Sequence, residues 1–128
     1  MRVIRSFVIG AVLALSLVLA LDIAVTATKA SELTFDLQIE RGRVPANMRL
    51  IRVKQNDVVK LRWKSDRSLL LHLHGYDIEQ KVEPGAVAEM TFTARATGKF
   101  SVHVHTPKAG SGGHTHEAPV VQIEVYPR

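Results

Sequence analysis

An all-β domain of sandwich or barrel type follows from three features of the chain. Apolar residues recur at every second position over short runs, turn-forming residues separate those runs at regular spacing, and no stretch beyond residue 30 carries a helical apolar period. Alternation of this kind buries one face of a segment and leaves the other wet, as in a half-buried strand.

The elements follow in order. Leu33, Phe35, Leu37 and Ile39 alternate with polar residues, so Glu32–Glu40 is the first strand, and Arg41 to Asn47 is a loop. Leu50–Lys54 is the second strand. Gln55-Asn56-Asp57 turns the chain into Val58–Lys64, where Val59, Leu61 and Trp63 share a face. After Ser65–Ser68, Leu69–His74 forms a strand that Tyr76–Val82 continues beyond Gly75. Glu83-Pro84-Gly85 has turn chemistry, because proline presets one backbone angle and glycine accepts a positive one. Val87–Ala94 alternates again, Ala96-Thr97-Gly98 turns into Phe100–His105, and a glycine-rich loop from Thr106 to Pro119 precedes the last strand, Val120–Tyr126. The expected arrangement is antiparallel.

Ahead of these strands stands a leader. Met1–Arg5 is basic, Phe7 to Leu21 is apolar or small without interruption, and Val25-Thr26-Ala27 and Thr28-Lys29-Ala30 offer small residues at a cleavage point. Basic, apolar and small segments in that order form a secretory signal. The alternative is an uncleaved membrane anchor, for which the apolar run is short against about 30 Å of hydrocarbon. Either reading exports the rest of the chain, to the periplasm or an equivalent compartment. Residues 1–30 are thus expected to be a signal peptide and residues 31–128 a single domain.

Composition narrows the function. The chain carries a net charge of +5, with 17 basic and 12 acidic residues. Arg49, Arg52, Lys54, Lys60, Arg62 and Lys64 are scattered along strands, and few aromatic residues interleave with them, so nucleic-acid binding is not expected. The chain has no cysteine, which excludes disulfides, cysteine nucleophiles and thiolate metal sites alike. No Ser-His-Asp order or paired-carboxylate motif stands out, and no enzymatic activity is expected.

All six histidines fall in His-x-His pairs: His72/His74, His103/His105 and His114/His116. Residues two apart on a strand point to one side, roughly 7 Å apart at the Cα atoms, and two imidazoles so placed can converge on one ion. Neutral imidazole suits copper, zinc and nickel, and Cu(II) binds nitrogen donors tightest of the divalent series. His72, His74, His103 and His105 are therefore the candidate ligands, with copper the expected metal and zinc the alternative. His114 and His116 lie in the glycine-rich loop and could close over them. Asp77, Glu79, Glu83 and Glu117 are candidates to orient an imidazole through its second nitrogen. Met90 alternates with Phe92 as a core residue would, and Met48 is a further candidate for Cu(I).

From Val53 to the C-terminus the chain resembles a cupredoxin domain. Gln55-Asn56-Asp57 and Val58–Trp63 resemble the family's turn and strand ahead of the first ligand loop, and His74-Gly75-Tyr76 resembles the His-Gly-aromatic step of the copper domains of nitrous oxide reductase and related oxidase subunits. Val82-Glu83-Pro84-Gly85, Met90–Ala94 and Gly98-Lys99-Phe100 are similar to the Pro-Gly turn, the strand after it, and the start of the strand leading to the copper-binding cysteine. The resemblance implies a Greek-key β-sandwich. It also exposes a departure: Phe100, Val102 and Val104 run inward, and Val104 stands where that cysteine would be. A second alignment is to the His-x-His motifs of multicopper oxidases, which His72-Leu73-His74-Gly75 and His103-Val104-His105 resemble. There the flanking histidines point away from the cysteine face, and Leu69 falls at the place of the family's inward histidine. The two alignments differ over whether His74 faces inward or outward.

The resulting expectation is an exported, histidine-only copper protein that buffers, carries or delivers the metal, working with a periplasmic or membrane copper-handling partner. One alternative is a metal-free interaction module in which the histidines act as a pH switch, and another is a copper-dependent redox enzyme, which the absence of a thiolate disfavours.

Overall fold

The computed structural model describes residues 29–105 and 118–128. Most of the leader and the stretch 106–117, with His114, His116 and Glu117, lie outside the described residues. The strands are β1 (Glu32–Ile39), β2 (Leu50–Lys54), β3 (Val58–Ser65), β4 (Leu69–Leu73), β5 (Ile78–Val82), β6 (Ala88–Thr93), β7 (Gly98–His105) and β8 (Val121–Tyr126), with one short 3-10 turn at Ala46–Met48. Each alternating run in the sequence is a strand here.

Two sheets face each other, one ordered β1-β3-β6 and the other β2-β8-β7-β4-β5. Leu37, Ile39, Leu61, Trp63 and Met90 of the first sheet and Leu71, Leu73, Val102 and Ile123 of the second are buried between them. The sandwich is mixed rather than wholly antiparallel: β1 runs parallel to β3, and β2 parallel to β8. The chain passes from β1 to the opposite sheet for β2 and returns for β3, so two reversals restore the original direction. Alternation reports which face is buried and carries no record of a neighbour's direction.

The second difference is at Gly75. In place of a strand running on from His74, residues 74–77 form a turn, and β4 and β5 become an antiparallel hairpin with Leu73 opposite Ile78. Gly75 sits at φ +89° and Asp77 at φ +54°, left-handed conformations that reverse the chain. A strand continuing beyond Gly75 is therefore corrected to a hairpin.

One buried charge ties the ends of the domain together. Asp57 is 3% exposed, accepts hydrogen bonds from the backbone N–H groups of Ser31 (3.0 Å) and Lys54 (2.9 Å), and pairs with the Arg128 guanidinium. Burial pushes its carboxyl pKa upward, but those N–H groups and Arg128 outweigh burial and hold it below the ordinary value. The ionised carboxylate thus stabilises the fold above an unfolded pKa of about 3.9, and that contribution fades as pH falls through the lower folded value. Asp57→Asn, which turns an amide N–H₂ toward donors, is expected to cost about 2 kcal/mol in urea unfolding at pH 7.

Candidate metal centre

The centre forms where β4 and β7 lie side by side. On β4, Leu69, Leu71 and Leu73 point into the core, which turns His72 outward. On β7, Val102 is buried and His103 faces the other way, directly opposite His72, while His105 is opposite Leu70. His74 reaches the same outer face from the turn, its backbone N–H donating to the Ser101 carbonyl at 3.0 Å. The outward alignment is therefore the one the fold adopts. Val104, between His103 and His105, is half-buried against the core.

The four described imidazoles form one cluster. Ring centroids are 4.3 Å apart for His72 and His74, 5.1 Å for His72 and His105, and 4.8 Å for His74 and His103. One nitrogen each of His72, His74 and His105 lies within 4.8 Å of the others. His103 stands edge-on beside His74 and is outside that triad. His114 and His116 are outside the described residues.

The distances suit an ion. His72 Nδ1 and His105 Nε2 are 3.2 Å apart. Two nitrogens held at about 2.0–2.1 Å from a tetrahedral ion stand roughly 3.3 Å apart, so this pair needs almost no movement. In the metal-free protein this distance is that of an ordinary hydrogen bond between the two rings, whose proton an ion would displace. His74 would complete three-nitrogen ligation with a small ring adjustment. Sulfur ligation does not fit: no cysteine is present. Met90 is buried in the core and Met48 packs against it.

Two groups around the triad bear on its chemistry. Asp77 Oδ1 is 3.4 Å from His72 Nε2, on the ring edge opposite the nitrogen that faces His105. A carboxylate there favours the proton on Nε2 and leaves the Nδ1 lone pair directed at the triad. Glu79 is paired with His72 across the β4–β5 hairpin, and Glu83 is engaged by Lys81 at 2.7 Å. The His74 pKa is lowered from its ordinary value of 6.5, by desolvation first and then by the charges that His72, His103 and His105 would carry. His74 therefore stays a neutral donor to lower pH than a free imidazole. Asp77→Asn is expected to weaken Cu(II) affinity by about tenfold, read by competition with a chromogenic chelator, without a comparable change in fold stability.

Behind the triad, Gly75 lets the backbone approach the Phe100 ring, and Tyr76 packs on Phe92 at 4.7 Å and Phe100 at 4.9 Å. This aromatic wedge joins β6 of one sheet to β7 of the other and fixes the turn that carries His74. The His-Gly-aromatic step of the sequence is a packing device as well as a candidate ligand position.

No protein-family model matches the chain, and no curated protein is similar to it in sequence. Solved structures do match. A copper-binding protein in its apo form superposes with a TM-score of 0.56 at 12% identity, over 76% of this chain and 90% of that one. A heme-copper terminal oxidase dimer gives a TM-score of 0.56 at 19% identity, over 77% of this chain and 65% of that one. A multicopper oxidase from Pseudomonas thermotolerans gives 0.56 at 19% identity, over 78% of this chain but 31% of the oxidase. The chain thus spans less than two thirds of either oxidase chain. At these identities the likeness is one of fold, and the fold is cupredoxin-like.

Proposed function

We propose that this chain is an exported copper-binding protein that buffers, carries or delivers the metal through an all-imidazole site, and that it is neither an electron carrier of the usual cupredoxin type nor an enzyme. The observation that carries this reading is the triad: His72 Nδ1 and His105 Nε2 at 3.2 Å, with a His74 nitrogen inside the same 4.8 Å sphere. Imidazole donors favour Cu(II) over the other divalent ions, with zinc the nearest competitor. A valine at the thiolate position removes the covalent sulfur link on which fast electron transfer in blue copper sites depends. The leader supports export, and the partner we infer is another copper-handling protein of that compartment.

The test is metal titration of the purified protein. One Cu(II) per chain should bind at pH 7, with paramagnetic resonance showing nitrogen ligands and no intense thiolate absorption. Affinity should fall as pH drops below about 6.5, where imidazoles take up protons. Absence of Cu(II) uptake at pH 7 refutes the reading.

A further inference from the structure

Beside the triad lies a cleft of about 990 Å³ whose wall includes His105. Arg41, Arg43, Arg49, Arg67 and Lys81 also line it, and among the described residues none of its lining is acidic. The cations come from separate places in the chain: the β1–β2 connection, the β3–β4 turn and strand β5. Arg67 and Lys81 are partly offset by Asp66 at 3.2 Å and Glu83 at 2.7 Å, while Arg49 donates to the Val44 carbonyl. Arg41 and Arg43 form no ion pair with any described residue. The floor is apolar, built from Val44, Leu69 and Val120.

We propose that this cleft docks an acidic, extended segment of a protein that gives copper to the triad or takes it away. The inference rests on the copper reading and names the partner's chemistry. Small-molecule sites fix their ligand with a few buried polar groups, whereas all five cations here are exposed to solvent. Exposed charges around an apolar floor are the anatomy of a protein interface, where they steer encounter and set orientation. Guanidinium groups suit carboxylates because they pair with them in a two-pronged geometry. A segment seated in the cleft touches His105, so its own carboxylates or imidazoles can replace the triad's nitrogens one at a time. The ion then passes between proteins without entering bulk water.

The test uses the full chain and a capped hexaglutamate peptide, followed by calorimetry and by the imidazole signals in NMR. Binding at low salt should shift His105, weaken with added salt because exposed charges are screened, and weaken at least about tenfold in the double variant Arg43→Glu/Arg67→Glu. The same variant should bind Cu(II) as the parent does. Equal binding of hexaglutamate to parent and variant overturns the proposal. So does equally tight binding of citrate, which marks a small-anion site, or no binding at low salt while Cu(II) uptake is intact. If Cu(II) uptake fails but the peptide still binds in the charge-dependent way, the metal reading falls and the acidic docking surface stands.

Discussion

Replacing His72 and His105 together by alanine is expected to lower Cu(II) affinity by more than about 100-fold, beyond the 10- to 100-fold typical of losing an outer partner. These two supply the pair of nitrogens already spaced for a shared ion at 3.2 Å, one from β4 and one from β7. With both gone, His74 and His103 remain, edge-on at 4.8 Å between ring centroids. Both replaced side chains are on the outer face, away from the core, so the melting temperature of the metal-free double variant should stay close to the parent's. Affinity and stability therefore separate. Retention of tight binding by the double variant would show that the ion is held elsewhere.

Gly75→Ala is expected to be the most damaging single substitution near the centre. At φ +89° an alanine is strained, and its Cβ would lie 2.6 Å from Phe100 Cδ1 and 2.9 Å from Cε1. Left-handed strain costs roughly 1–3 kcal/mol and overpacking a similar amount, so a loss of about 4 kcal/mol is expected. For a domain of this size that is a fall in melting temperature of roughly 15 °C or more. Gly85→Ala provides the control. It has nearly the same angle, φ +80°, but nothing within 4 Å of the added methyl. Only the strain component should appear there. Displacement of the Phe100 ring should also move the turn bearing His74, so Gly75→Ala should weaken metal binding while Gly85→Ala should not.

How much of this was legible in the sequence depended on which physical signal each feature leaves there. Burial is written residue by residue: Val59, Leu61 and Trp63 read as one inner face and are each fully buried. Strand direction is not, which is why the parallel pairings of β1 with β3 and β2 with β8 went unseen. The His-x-His spacing rightly placed His103 and His105 on one side of a strand. It put His72 and His74 together for an incomplete reason, since His74 arrives from a turn that the alternation around Gly75 conceals. The diagonal contact of His72 with His105, rather than with its direct opposite His103, depends on how side chains lean across the sheet. The basic cleft left no local trace at all. Arg41 and Arg43 of the β1–β2 connection and Arg67 of the β3–β4 turn become neighbours only when the sandwich closes.

The separation of inner and outer faces on β4 and β7 has one more consequence. Leu71, Leu73 and Val102 complete the interior whether or not the imidazoles behind them are engaged. A small zinc domain that needs its ion to fold must come apart to give it up. An ion held by the triad would rest on the outside of a finished vessel, so loading and unloading would move only rings at its surface.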